Sequence, residues 1–144
     1  VPTIAPHFAK SVLFACIDDR LAQTDFEYVQ EIGGAFCPAL AGGALALINE
    51  TTRATALAQI VIAWQVNHIT DVYLQSHTDC GAYRLNSITF TSADEEVARL
   101  YTDLHQAAGL VREVLIAAGA PARELKIHLR VVDPAGQPVP EPAN

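Results

Sequence analysis

Two short segments, far apart in the chain, each end an apolar run with thiol, imidazole and charged side chains. They are Cys16-Ile17-Asp18-Asp19-Arg20, closing the run from Val12, and His77-Thr78-Asp79-Cys80-Gly81, following Ile69 to Ser76. Two thiolates and an imidazole are the donor set zinc favours, and a catalytic zinc usually takes three protein ligands and leaves its fourth position open. Cys16, His77 and Cys80 are therefore candidate metal ligands, with the carboxylate of Asp18 and the guanidinium of Arg20 delivered on the first segment. A fold that unites them must end two distant apolar runs side by side.

The surrounding pattern supplies such a fold. Val12 to Ile17 reads as a strand buried on both faces, Phe36 to Leu40 as a weaker second strand, Ile69 to Ser76 as a third and Leu125 to Val132 as a fourth. In the last, Ile127, Leu129 and Val131 alternate with His128 and Arg130, which suggests an edge strand with one wet face. Between strands two and three, Asn49 offers an N-cap, and Ala54, Leu57, Ala58, Val61 and Trp64 recur at helical spacing up to Asn67. Ser92 with Glu95 makes a capping box, and a stripe from Val97 through Leu104 and Val114 runs towards Gly119, with Gly109 a point of breakage or bending.

Strands separated by helices imply an α/β fold with an open, mostly parallel sheet flanked by helices, expected in strand order 2-1-3-4. Cys16 then lies at the carboxyl end of strand one, and His77 and Cys80 follow the carboxyl end of strand three. Those strands flank the topological switch point, where open α/β sheets bind ligands. Residues 1–144 are expected to form one domain.

The two segments resemble the hallmark of the β-class carbonic anhydrases, Cys-x-Asp-x-Arg followed well downstream by His-x-x-Cys. His77-Thr78-Asp79-Cys80-Gly81 is close to that family's usual wording, and Ile127 to Asp133 with Ala135-Gly136 is similar to its last core strand and turn. One departure stands out: the family commonly carries Arg-Asn-Ala-Gly after its second strand, where this chain has Ala39-Leu40-Ala41-Gly42. The resemblance implies a zinc lyase that hydrates carbon dioxide to bicarbonate, working as a homodimer or higher homo-oligomer. Some relatives act on carbonyl sulfide or carbon disulfide, so a hydrolase of those gases is a second expectation, and a non-catalytic zinc protein a third.

In this reading Asp18 orients the nucleophile and Arg20 keeps Asp18 ionised and aimed. Asp79 is expected to accept hydrogen bonds within its own turn, and Gly81 to let the backbone pass close to the metal. Cys37 is expected to be a small buried hydrophobe in a strand. His7, His68, His105 and His128 are read as solvated or packed, and Trp64 and Tyr101 as core residues. Ala39 and Leu40, with Phe36 nearby, are expected to give the site an apolar wall.

Composition closes off other classes. A net charge of −7 with nine Lys and Arg spread along the chain argues against a nucleic-acid partner. No run approaches the roughly 20 apolar residues of a membrane span. Hydrophobic residues make up 51% of the chain and charged ones 17%, consistent with apolar surface in a subunit interface. Three cysteines, two with a ligand assignment, point to a reducing, cytoplasmic setting, with a leader removed ahead of Val1 left open. The spacing of a cysteine phosphatase loop and a phosphate-cradling G-x-x-x-x-G-K-S/T are both lacking. A cysteine hydrolase built on Cys80 leaves Cys16, Asp18 and Arg20 without a role.

Overall fold

The computed structural model of the protein describes residues 5–143. Strands β1 (Ser11–Phe14), β2 (Asp71–His77), β3 (Lys126–Val132) and β4 (Pro138–Val139) form one sheet in the order β1-β2-β3-β4. The first two pairings are parallel and the last antiparallel. Helices α1 (Ala22–Glu31), α2 (Ala44–Ile48), α3 (Arg53–Asn67), α4 (Gly81–Leu85) and α5 (Ala93–Ala117) flank it.

The expected second strand survives only as two parallel bridges, Val12 to Phe36 and Ala15 to Ala39. Its hydrogen bonds to β1 run Phe36 N–H to Ser11 O and Leu13 N–H to Phe36 O, both 2.9 Å, then Ala15 N–H to Pro38 O and Leu40 N–H to Ala15 O. Residue 38 should donate the intervening bond to the Leu13 carbonyl, but a proline has no N–H, and the ladder is interrupted there. The segment still lies outside β1, so the expected neighbours 2-1-3-4 are kept, and the sequence-based order is corrected only by the loss of a regular second strand and the gain of β4.

β3 is the edge strand over most of its length, since β4 covers only Val131 and Val132. Its wet face is half closed: His128 stacks on Tyr73 with ring centres 4.3 Å apart and bonds Asp71, and Arg130 lies 3.5 Å over the Tyr28 ring. Helix α5 runs through Gly109 without interruption and buries Leu100, Leu104, Val111 and Leu115. Ser92 Oγ accepts from Glu95 N–H, while Glu95 Oε2 reaches back to Thr91 N–H, one residue earlier than a capping box requires. Asn49 does not cap α3; its Oδ1 accepts from Thr51 and closes a turn before the helix begins at Arg53. Trp64 packs half-buried against the core, and Tyr101 is buried with its hydroxyl donating to Val139 O at 2.6 Å, which ties β4 to α5.

The approach of the α2 turn to β2 depends on one glycine. Gly43 has φ +56, and a Cβ there would fall within contact distance of the Gln75 carbonyl oxygen. Gly43→Ala should therefore destabilise the protein by more than about 1 kcal/mol. Gly109→Ala, in a helix with open space around it, should instead stabilise by up to about 1 kcal/mol. Urea denaturation of the two variants checks both signs.

Candidate metal centre

Because β1 and β2 pair in register from Ser11 with Asp71 to Phe14 with Leu74, the chain leaves both strands at the same end of the sheet. Cys16 lies two residues beyond β1, and His77 is the last residue of β2. Cys80 directly precedes α4. The three are buried, and their donor atoms lie within 4.8 Å of one another. Cys16 Sγ is 4.0 Å from Cys80 Sγ, near the roughly 3.8 Å that two sulfurs at about 2.3 Å from one tetrahedral ion would show.

His77 Nδ1 is 2.8 Å from the Thr78 carbonyl oxygen and donates to it, so the neutral ring carries its lone pair on Nε2. Nε2 is buried without a hydrogen-bond partner. An unpaired buried acceptor costs about 1–3 kcal/mol, and a cation at the shared focus of the three residues would satisfy it. The Thr78 carbonyl is the kind of outer partner that would fix the His77 ring if it held a metal.

Cys16 is drawn below the usual thiol range, chiefly by its hydrogen bond with Cys80, against the opposing effect of burial; His77 and the Gly42 N–H, 3.3 Å from Sγ, add to the lowering. Cys80 is pushed upward by the neighbouring Cys16 and by burial. A divalent charge between the two sulfurs would favour the thiolate form of both. The residues present fit a soft-donor divalent metal.

Asp18 Oδ2 stands 3.6 Å from His77 Nε2 at the rim of the group. Arg20 grips its carboxylate with two bonds, Nε to Oδ1 at 3.0 Å and Nη2 to Oδ2 at 2.7 Å, and this pairing holds Asp18 at about 2. The structure therefore brings together all five sequence-predicted residues. It adds one: Asp79 accepts from Arg20 Nη1 and from Arg84 Nη1, both at 2.9 Å, and its own carbonyl accepts from Arg20 Nη2. The expectation that its carboxylate serves its own turn is corrected. The turn is held by Glu96, which accepts from Asp79 N–H.

A close backbone approach to a thiol is made by a different glycine. A Cβ on Gly81 would meet nothing, whereas Gly42, at φ +97, presents its N–H to Cys16 Sγ. The four other histidines lie outside this group: His68 stacks on Trp64, His105 pairs with Glu141, His128 with Asp71, and His7 lies near Phe36.

A cavity of about 350 Å³ opens beside Cys16 and Asp18. Ala39 lines it, but Leu40 packs on the core, and Phe36 faces a separate cleft with Ile62 and Val66. The rest of its apolar wall comes from Leu13, Ala15 and Ile17 in and just after β1, from Pro38, and from Ala22, Phe26 and Val29 of α1, a helix with no fully buried residue. Cys37 is exposed at this cavity rather than buried in a strand.

Asp25 interrupts the apolar wall. It accepts from Gln75 Nε2 at 2.8 Å, and burial pushes its carboxyl above the usual range despite that bond. A carboxyl raised on folding binds more protons in the native state, so its contribution to stability falls as pH rises from the unfolded value of 3.8 through the folded one. Asp25→Asn should then raise the melting temperature relative to the unsubstituted chain more at pH 7 than at pH 4. Thermal denaturation at the two pH values measures the difference.

No protein-family model and no curated protein matches the sequence. Solved structures do. The chain is similar to a β-carbonic anhydrase of Trichomonas vaginalis, with a TM-score of 0.57 and 14% identity over 96% of this chain and 86% of that one. A carbon disulfide hydrolase in its apo form aligns with a TM-score of 0.56 and 15% identity, covering 94% and 80%. Tetrameric β-carbonic anhydrases of the ascomycete Sordaria macrospora are represented at 0.51 and 19%, covering 90% and 79%.

Proposed function

We propose that this chain, which has the β-carbonic anhydrase fold, is a zinc-dependent enzyme that hydrates carbon dioxide reversibly to bicarbonate and a proton. The observation that carries the reading is the buried, unpartnered His77 Nε2, set between two thiols and 3.6 Å from a carboxylate that an arginine holds ionised. Cys16, His77 and Cys80 would hold the ion. When bound, zinc lowers the pKa of a water at its open position toward neutrality and so supplies a nucleophile at ordinary pH.

The remaining chemistry belongs to the chain. An ionised Asp18 can only accept, so it would accept a hydrogen bond from the attacking oxygen and leave a lone pair of that oxygen turned towards the substrate. Arg20 prevents Asp18 from protonating or rotating. The cavity beside them admits a small neutral molecule and offers few donors to a charged product. The proton released leaves to solvent.

Hydrolysis of carbonyl sulfide or carbon disulfide is the second reading, favoured by the apolar wall of Ala22, Phe26, Val29 and Ala39. A non-catalytic zinc protein has no use for the doubly bonded Asp18 and Arg20 pair. We also propose a homo-oligomer, because Ile17 and Phe26, 62% and 60% exposed, stand at the cavity beside the site. No helix among the described residues is long and apolar enough to cross a membrane. Three free cysteines suit a reducing, cytoplasmic setting.

The purified chain should carry about one zinc, and Cys16→Ser, His77→Ala and Cys80→Ser should each lose most of it by elemental analysis. Asp18→Asn should keep the zinc but lose most turnover in stopped-flow assays of the two gases carbon dioxide and carbonyl sulfide. Wild-type metal in all three ligand variants, or full activity in Asp18→Asn, would contradict the reading.

Sedimentation should show a species heavier than the 15.4 kDa monomer at micromolar concentration. An active monomer would contradict the oligomer.

A further inference from the structure

We propose that Asp79 is a positioning residue: it holds the Arg20 guanidinium in the pose that grips Asp18, so that the second metal segment sets the geometry of the first. The inference rests on reading Cys16, His77 and Cys80 as a metal site with Asp18 acting beside it.

Arg20 is 40% exposed on its side chain and sits only two residues from Asp18. Paired with Asp18 alone, such a side chain keeps the freedom to swing its outer end into solvent. Asp79 removes it. Its carboxylate takes Nη1 and its carbonyl takes Nη2, while Asp18 takes Nε and Nη2, so the guanidinium is held along both edges of its plane. A planar fork held this way has one orientation.

The backbone at Asp79 is built for this. It lies at φ +57, a left-handed conformation uncommon outside glycine, and Glu96 Oε1 holds the amide at 2.6 Å. Residues kept in sparsely populated backbone regions persist where the surroundings over-determine them, and they cluster at functional sites. Here the surroundings are Glu96 on the amide, Arg84 on Oδ1 and Arg20 on both Oδ2 and the carbonyl.

Stability does not account for the arrangement. The Arg20 and Asp79 side chains are 40% and 50% exposed, and exposed ion pairs contribute little. Asp79 also lies between His77 and Cys80. An ion drawing those two together fixes Asp79 as well, and through Arg20 fixes the carboxylate on the other segment. Metal ligation and the Asp18 pose are thereby linked by three side chains.

The test compares the unsubstituted chain with Asp79→Asn, Arg20→Ala and the double variant, each zinc-loaded. Asn tolerates the left-handed backbone, so Asp79→Asn removes the charge and keeps the turn; Asp79→Gly is the substitute if that variant folds poorly. In the side-chain nitrogen NMR spectrum, the Arg20 Nη protons should be resolved in the parent and averaged by rotation in Asp79→Asn, with the melting temperature little changed. Turnover of the active gas should fall about tenfold, in the range of losses for groups that orient a metal site's inner residues, with KM unaltered. Asp79→Asn should cause no further loss in the Arg20→Ala background. Resolved Nη protons in Asp79→Asn, or losses that multiply in the double variant, would overturn the inference. If the parent turns over neither gas, the proposed function fails, and the NMR comparison alone decides the role of Asp79.

Discussion

The parallel pairing of β1 with β2 is the constraint on which the rest depends. β1 is only four residues long, all buried, and its register with β2 is complete from Ser11 to Phe14. That register brings the chain out beside the end of β2, where Cys16 meets His77 and Cys80. A slip by one residue would turn every β1 side chain to the opposite face and carry the Cys16 thiol away with them. The Gly42-Gly43 turn reinforces the placement from outside: one glycine donates to Cys16 Sγ, and the other approaches the Gln75 carbonyl too closely for any side chain.

Electrostatics around this junction follow a division of labour. The inner group consists of two thiols and an imidazole that burial makes costly to leave unmatched, and a single divalent cation would answer all three. The outer group consists of Asp18, Arg20, Asp79, Arg84 and Glu96, exposed to varying degrees and mutually bonded. It contributes little to stability. Its effect is orientation, which places one carboxylate oxygen, kept ionised by Arg20, 3.6 Å from the buried imidazole nitrogen.

The cluster of Cys16, His77 and Cys80 was legible in the sequence because it rests on residue type and position at strand ends, and the apolar runs that carry it have strong patterns. What sequence reasoning missed has particular causes. Pro38 withdraws one donor and reduces a plausible strand to two bridges. Helix α1 packs with no fully buried residue, and α2 and α4 are five residues each, too short for a helical period to show. Missing α1 meant missing one side of the cavity wall, and with it Asp25. Asp79 escaped because its partner Arg20 is distant in sequence and meets it only after the strands pair. The Gly42-Gly43 pair was the one available signal for the backbone donor to Cys16.

The central claim is that Cys16, His77 and Cys80 together bind one zinc ion. X-ray absorption at the zinc edge of the metal-loaded protein tests it most directly. The account predicts two sulfur scatterers at about 2.3 Å, with the remaining shell made of nitrogen or oxygen at about 2.0–2.2 Å. A shell of nitrogen and oxygen alone, or four sulfurs, would contradict it.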